Sequence, residues 1–206
     1  MSKKIRLAVL VSGGGTTLRN FFDKITEGAM DAQIALVVSS RPGVYAIKRA
    51  EDAGVPVEVV SRSDYESSEA FSDALSDVLD RYGIELVALA GFLSLYKIPD
   101  RYLGRVLNIH PALLPKHGGK GWYGDRVHAA VLRDGDRESG CTVHFADNVY
   151  DNGPVVVQRR VSVLPGDTVE MLRERVFEQE CSAYPEAINL FAAGGLDAVA
   201  AKMRRD

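Results

Sequence analysis

The sequence has little cysteine and no histidine pattern that would bind a metal. Among its 206 residues are two cysteines, Cys141 and Cys181, whose spacing forms no C-x-x-C or zinc-finger motif. The four histidines make no H-x-x-x-H or H-x-x-E-H pair, so no zinc site is predicted. We therefore expect two reduced thiols and no metal cofactor.

The sequence also lacks an excess of positive charge and any long apolar run. Lys and Arg number 25 against 28 Asp and Glu, a formal net charge of −3, which argues against a nucleic-acid partner. No apolar segment approaches the roughly 18 residues that a membrane span needs. The apolar run near the start stops at Ser12 without a small-residue cleavage site, so it predicts a strand rather than a signal peptide. A cytoplasmic protein that binds neither nucleic acid nor membrane is expected.

What the first half does contain is a regular alternation of apolar strands and amphipathic helices. The pattern predicts strands over 5–12, 32–40, 55–60, 84–91 and 105–110, with helices over 16–27, 44–53 and 65–82. Strands that are apolar on both faces indicate a parallel sheet covered by helices on both sides.

The second half changes pattern. A helix near 124–133 precedes two β runs, 140–146 and 153–164, whose connection is too short for a crossover helix, so they are predicted to be antiparallel. A long helix from about 167 to 193, interrupted near Pro185, closes the chain. We expect an α/β fold: a single domain (1–206) with a Rossmann-like, mostly parallel sheet, helices on both faces and an antiparallel C-terminal portion.

A glycine-rich turn, "SGGGTTL" (12–18), joins the first strand to the first helix. Gly13 and Gly15 satisfy the first two positions of a dinucleotide fingerprint, but Leu18 occupies the third. The second strand also ends without an acidic residue for a ribose diol. Two interpretations stay open: a single phosphate held by backbone amides with the Thr16 and Thr17 hydroxyls, or a plain turn with a threonine cap.

The fifth strand ends by presenting an amide and an imidazole. Asn108 and His110 are two residues apart and share one face of the strand. Pro111 then ends the ladder, at the strand end where open α/β sheets bind ligands. A carboxamide and an imidazole can both stabilise an oxyanion, and the imidazole can carry a proton. The alternative is that the pair only satisfies backbone groups at a strand end.

An imidazolium near neutral pH would need a neighbouring carboxylate. The sequence offers several, and its physics does not choose among them: Asp125, Asp134, Asp136, Asp147 and Asp151. The stretch "HGGKGWYGDR" (117–126), which contains Asp125, predicts either a mobile flap that excludes water or a simple surface loop. The other histidines, His117, His128 and His144, give weaker signals.

Four stretches together resemble a known family. They are "SGGGTTL" (12–18), "AGFLSLY" (90–96), "NIHPALLPK" (108–116) and "YDNGPVVVQ" (150–158). In this order they resemble the phosphoribosylglycinamide formyltransferases. The resemblance implies direct transfer of a formyl group from 10-formyltetrahydrofolate, a cosubstrate, to the amine of glycinamide ribonucleotide in de novo purine biosynthesis. It also implies a monomer or homodimer.

The resemblance assigns roles by position. Asn108 and His110 become the pair that stabilises the tetrahedral intermediate, and Asp151 the carboxylate that raises the histidine pKa. The residues expected to bind the ribonucleotide are Gly14, Gly15, Thr16, Thr17, Pro111 and Glu180. Those expected to bind folate are Phe92, Leu93, Ser94, Leu95, Tyr96, Asn108, Ala146, Asp147 and Asp151. The domain then has a phosphate-binding half (1–104) and a catalytic, folate-binding half (105–206).

This chain departs from the family pattern at several positions. Thr17, Ser68, Ser94 and Phe177 replace an asparagine, two arginines and a glutamine, and the stretch between the catalytic histidine and aspartate is longer. Two other functions stay open. One is formyl transfer to a different amine. The other is a non-catalytic nucleotide-binding module, whose ligand binding would not depend on the Asn–His pair.

Overall fold

The structure is a computed structural model that describes residues 4–203. It contains two compact units, Met1–Leu107 and Asn108–Asp206. Hydrogen bonds order its seven strands, numbered along the chain, as β3 (Val57–Val59), β2 (Ala32–Ser39), β1 (Ile5–Val11), β4 (Leu86–Leu89), β5 (Val106–His110), β6 (Glu138–Phe145) and β7 (Val155–Ser162). The predicted halves, divided between 104 and 105, stay a prediction.

The first unit is built from alternating strands and helices. Its strands are β1 (Ile5–Val11), β2 (Ala32–Ser39), β3 (Val57–Val59) and β4 (Leu86–Leu89), and its helices are α1 (Thr16–Thr26), α2 (Tyr45–Asp52) and α3 (Ser68–Arg81). All four strands are parallel. Short 3₁₀ turns at Arg62–Asp64 and Asp100–Tyr102 were not predicted.

The strand order explains where the helices lie. Residues 7–11 of β1 are fully buried, as a central strand requires when both of its faces are covered. Because parallel crossovers are right-handed, the steps from β1 to β2 and β3 place α1 and α2 on one face. The reverse step from β3 to β4 places α3 on the other. The order therefore reverses between β1 and β4, and ligands bind open α/β sheets at such a point.

The second unit begins inside β5 (Val106–His110) and continues with α4 (Asp125–Arg133), β6 (Glu138–Phe145), β7 (Val155–Ser162) and α5 (Val169–Met203). Strands β6 and β7 are antiparallel, with a register shift between Val143 and His144. These elements confirm the predicted fold class, a mostly parallel sheet with an antiparallel C-terminal portion.

The predicted interruption of the last helix is wrong. Helix α5 runs through Pro185 without a break and continues to Met203. A proline inside a helix removes one backbone hydrogen bond, but Ala183, Tyr184 and Ile188 around it are fully buried. This packing outweighs the missing bond. No helix between residues 4 and 203 combines the length and apolarity that a membrane crossing requires.

Candidate active site

The glycine turn after β1 is held in place by helix α2. The Ala46 N–H donates to the Gly13 carbonyl at 3.2 Å, and the Arg49 Nε donates to the Gly14 carbonyl at 2.9 Å. Gly15 has φ +71°, and a Cβ built there would lie 2.7 Å from the Ala46 Cβ. Both the backbone conformation and the lack of space therefore require glycine at position 15.

This turn leaves its amide donors open. Gly15 precedes α1 as its N-cap and has no side chain to cap the helix. Within the described residues, the N–H groups of Gly14, Gly15, Thr16 and Thr17 have no hydrogen-bond acceptor. Unfilled N–H groups and the positive end of a helix dipole form a setting for an anion. The predicted threonine cap does not form.

The segment after β4 is tied to the glycine turn. The Ser12 hydroxyl accepts a hydrogen bond from the Leu93 N–H at 2.9 Å and lies 2.6 Å from the Ser40 hydroxyl. Tyr96 is buried, and its hydroxyl lies 2.9 Å from that of Ser76. Burial raises the pKa of Tyr96 to about 12, so its hydroxyl stays protonated. The two segments at the switch point thus form one hydrogen-bonded group.

Within the segment after β4, the predicted folate-binding residues differ in exposure. Leu93 is 56% exposed, while Ser94 and Leu95 are half-buried. Phe92 is half-buried and stacks on Phe71, with ring centroids 6.3 Å apart. The segment therefore exposes the apolar side chain of Leu93, while its backbone N–H and the Phe92 ring are held by contacts with Ser12 and Phe71.

In the second unit, three predicted residues come together. Asn108 and His110 share one face of β5, as the two-residue spacing predicted. The Asn108 Nδ2 donates to the Asp151 Oδ1 at 3.3 Å, and the His110 Nδ1 lies 3.5 Å from the Asp151 Oδ2. Of the five candidate carboxylates, Asp151 is thus the one beside the histidine.

The turn between β6 and β7 presents Asp151. This residue has φ +53°, a conformation that costs free energy outside glycine. Asp147 shapes the turn, since its carboxylate accepts the Val149 N–H at 2.8 Å and the Asn152 amide at 3.2 Å. A Cβ at Gly153 would lie 1.8 Å from the Phe145 carbonyl oxygen, so only glycine closes the turn.

The backbone of the glycine-rich loop contacts the side chains of His110 and Asp151. The His110 Nε2 lies 2.8 Å from the His117 carbonyl oxygen, and the Gly119 N–H donates to the Asp151 Oδ2 at 2.9 Å. Since a carbonyl oxygen can only accept, the His110 Nε2 carries the hydrogen. The His117 ring is itself anchored, with its Nε2 2.8 Å from the Asp136 Oδ2. The proposed mobility of this loop stays a prediction.

Burial decides the charge of His110. It lowers the histidine pKa below its ordinary value, and the charge of Asp151 and the His117 carbonyl only partly oppose the shift. Asp151 therefore raises the pKa of His110, as expected, but burial lowers this pKa by more. For Asp151, burial acts against ionisation, but its contacts with the imidazoles and the Gly119 N–H leave its pKa below the ordinary value. The site thus holds a neutral imidazole beside a carboxylate.

Sequence reasoning missed His144 as part of this site. Its Nε2 lies 3.1 Å from the Asn108 Nδ2 and 3.6 Å from the Asp151 Oδ1. Its Nδ1 lies 2.9 Å from the Phe145 carbonyl oxygen. The only available signal was alternation along β6, which places His144 on the same face as Thr142. That alternation does not reveal which strand end lies opposite.

The remaining predicted residues lie elsewhere in their units. Pro111 and Ala146 are half-buried next to His110 and Asp147. Glu180 lies on α5, where burial raises its pKa to about 7. Cys141 is buried, and burial raises the pKa of its thiol to about 12, which makes it unreactive. Within residues 4–203, no cluster of three or more His, Cys, Asp or Glu side chains could hold a metal.

The sequence is similar to those of known proteins. Residues 5–188 match the formyl transferase family. The phosphoribosylglycinamide formyltransferase of Haemophilus influenzae is 37% identical over 193 residues, which are 93% of this chain and 89% of that protein. The trifunctional purine biosynthetic protein adenosine-3 of Gallus gallus is 40% identical over 95% of this chain. The chain spans 19% of that protein's length.

Solved structures show the same fold. The crystal structure of glycinamide ribonucleotide transformylase 1 from Symbiobacterium toebii is 41% identical, with a TM-score of 0.87 over 94% of this chain and 90% of that one. A phosphoribosylglycinamide formyltransferase from Coxiella burnetii, in complex with CHES, is 36% identical, with a TM-score of 0.84 over 93% and 89% of the two chains. The sequence match and the fold lead to one conclusion: this chain belongs to the formyl transferase family.

Proposed function

We propose that this protein transfers a formyl group from 10-formyltetrahydrofolate to the amine of glycinamide ribonucleotide. The observation that carries the proposal is the cluster of Asn108, His110 and Asp151, in which two N–H donors lie beside one carboxylate. The names of the relatives, which are glycinamide ribonucleotide enzymes, favour this amine over others. The cytoplasmic location and the monomeric or dimeric state stay predictions.

The chemistry needs donors where negative charge develops. The amine nitrogen attacks the formyl carbon, and the carbonyl oxygen of the formyl group becomes an oxyanion. The Asn108 Nδ2–H and the His110 Nε2–H would stabilise this oxygen once it replaces the His117 carbonyl as the partner of His110. The bond from the formyl carbon to the folate N10 then breaks, and the amine retains the formyl group.

A proton must also move from the attacking amine to the departing folate nitrogen. His110 is suited to relay it at Nε2, the nitrogen that faces the reacting groups: Nε2 takes the proton of the amine as it gives its own hydrogen to the folate nitrogen. Asp151, beside Nδ1, stabilises positive charge on the ring during this exchange. No covalent enzyme intermediate is needed. In the first unit, the open N–H groups of the 14–17 turn would bind the phosphate of the ribonucleotide, and the 92–96 segment would contact folate.

The test is a formylation assay with the full chain, 10-formyltetrahydrofolate and glycinamide ribonucleotide, followed by mass spectrometry of the product. His110→Ala should lower kcat by about 10²–10⁴-fold while circular dichroism stays that of the wild type. His128→Asn, a substitution at another buried histidine, is the control and should keep most activity.

Two results would contradict the proposal. One is a wild-type protein that formylates a different amine but not glycinamide ribonucleotide. The other is ligand binding without turnover, unchanged by His110→Ala, which would indicate a non-catalytic binding module.

A further inference from the structure

We propose that His144 is a positioning residue that fixes the orientation of the Asn108 carboxamide, so that its N–H rather than its C=O faces the reacting oxygen. The inference rests on the proposed function, because it assigns Asn108 the role of a donor to an oxyanion. It concerns a residue that acts through Asn108, the side chain that its Nε2 contacts at 3.1 Å.

The Phe145 carbonyl determines the direction of the hydrogen bonds made by His144 and Asn108. The Phe145 carbonyl oxygen can only accept, so the His144 Nδ1 at 2.9 Å must donate to it. With the ring neutral and its hydrogen on Nδ1, the Nε2 carries a lone pair and accepts. The Asn108 Nδ2 at 3.1 Å is therefore the donor to His144. The Asn108 Nδ2, which contacts both groups, offsets the repulsion between this lone pair and the Asp151 Oδ1, 3.6 Å away. The chain of contacts thus defines which end of the carboxamide faces His144.

Asp151 defines the same orientation independently. The second hydrogen of the Asn108 Nδ2 is directed to the Asp151 Oδ1 at 3.3 Å. If the carboxamide were flipped, its oxygen would face both a carboxylate oxygen and the imidazole lone pair. Both contacts would then be repulsive. The flipped state is therefore excluded as long as His144 keeps its tautomer.

The two contacts have different roles in a reaction. The contact with Asp151 is longer and would be the one that is exchanged when the oxyanion forms, since Asp151 then pairs with the protonated His110. The contact with His144 stays and holds the amide plane. A carboxamide has no intrinsic preference between its two orientations. Once the contact with Asp151 is exchanged, only His144 holds the orientation, and without it a part of the molecules would present the wrong atom.

The local backbone is arranged to direct His144. The pairs Val143–Val157 and His144–Val155 skip Val156, so the irregularity lies in β7 and His144 keeps the alternation of β6. The Phe145 carbonyl is fixed as well, because Gly153 packs directly on it. The structure therefore holds both the acceptor for the His144 Nδ1 and the ring itself.

Two substitutions separate the two nitrogens of the ring. In His144→Gln the side-chain amide reaches the place of Nε2 and can accept from Asn108. In His144→Asn the amide reaches only the place of Nδ1, so the contact with the Phe145 carbonyl is kept and the contact with Asn108 is lost. We expect His144→Asn to lower kcat by about 10–100-fold, within the value of one oxyanion donor, with KM for both substrates nearly unchanged. His144→Gln should recover most of that loss.

A double-mutant cycle connects the effect to Asn108. Asn108→Ala should lower kcat by about 10²–10³-fold, and adding His144→Asn to it should cause little further loss. Multiplicative losses in the double mutant would overturn the inference, as would a His144→Gln variant no better than His144→Asn. Wild-type turnover of glycinamide ribonucleotide tests the proposed function separately.

A measurement without substrate tests the orientation directly. The side-chain N–H resonances of Asn108, identified by their absence in Asn108→Ala, should be two resolved peaks protected from solvent exchange. They should keep this protection in His144→Gln and exchange faster in His144→Asn, where only the longer contact with Asp151 remains. Unchanged protection in His144→Asn would overturn the inference even if the protein formylates another amine.

Discussion

The turn after β1 and the cluster at the end of β5 are both proposed to bind parts of the substrates. They differ in whether their polar groups already have hydrogen-bond partners in the protein. In the turn, the N–H groups of residues 14–17 are left without acceptors among the described residues. In the cluster, the polar atoms of Asn108, His110 and Asp151 already contact protein groups. A phosphate would add to the first, whereas a formyl oxygen must replace a contact in the second.

This contrast has a physical origin. Open N–H groups at an exposed helix start are solvated by water and cost little. Buried polar side chains without partners cost about 1–3 kcal/mol each, so the cluster must satisfy its own groups in the absence of a ligand. The carbonyl of His117 and the N–H of Gly119 fulfil that need.

The largest effect is expected from removing the charge in the satisfied cluster. Asp151→Asn keeps an oxygen for the Gly119 N–H but loses the negative charge that stabilises a protonated His110. We expect kcat to fall by about 10³-fold, with the circular dichroism spectrum unchanged. The measurement is turnover at saturating concentrations of both substrates.

Asp134→Asn is the matched control, since Asp134 is an exposed carboxylate whose Oδ2 lies 4.0 Å from the His117 Nδ1. It should change kcat by less than about two-fold, as surface pairs contribute little. Equal losses in both variants would indicate a general charge effect.

A smaller effect is expected in the open turn. Gly15→Ala would place a Cβ 2.7 Å from that of Ala46 at a φ of +71°, and so distort the N–H groups. We expect KM for glycinamide ribonucleotide to rise by about 10-fold or more with KM for the folate unchanged, a loss of about 1.4 kcal/mol in binding. Steady-state kinetics with each substrate varied would measure this.

Gly28→Ala is the control for backbone strain, because Gly28 has φ +72° but open space around it. Gly28→Ala should lose about 1–2 kcal/mol of unfolding free energy, and Gly15→Ala should lose more because its Cβ also meets Ala46. A similar rise in KM in Gly28→Ala would show that strain, and not the turn, is responsible.

The last effect concerns stability in acid rather than catalysis, and it should arise in the second unit because all four histidines lie there. Burial lowers the pKa of His128 from 6.5 to about 4. Below pH 6.5 the unfolded chain binds a proton that the folded chain does not, so stability falls as the pH drops from 6.5 toward 4. The loss of unfolding free energy from this proton is about 1–3 kcal/mol in acid. Above pH 6.5 there is no such loss.

His128→Leu should remove that contribution and flatten the pH dependence. Urea unfolding of both proteins at pH 7 and pH 5 would measure the difference. Parallel pH profiles would mean that His128 takes up its proton equally in the folded and unfolded chains.

The sequence predicted periodic features well and spatial neighbours poorly. The alternation of strands and helices gave the fold, and the i, i+2 spacing of Asn108 and His110 gave their common face. Strand spacing alone did not choose Asp151 from five carboxylates; the family resemblance did. His144 and His117 were missed, because their contacts depend on how β6 and the 117–121 loop pack, which no local pattern encodes.

Pro185 shows the opposite error. A local rule predicted a break, and tertiary packing overrode it, since the residues around the proline are buried. Helix preference is a weak signal when many apolar contacts hold a segment in place.

The contact between the His117 carbonyl and His110 also affects whether water can react in the site. While the carbonyl holds the Nε2 hydrogen, the remaining lone pair of the ring faces Asp151 and is out of reach of solvent. A ring in this state cannot activate a water molecule, so in the proposed reaction the formyl donor would be protected from hydrolysis in the resting site. The His110 Nε2–H thus becomes available only when a substrate oxygen replaces the His117 carbonyl as its acceptor.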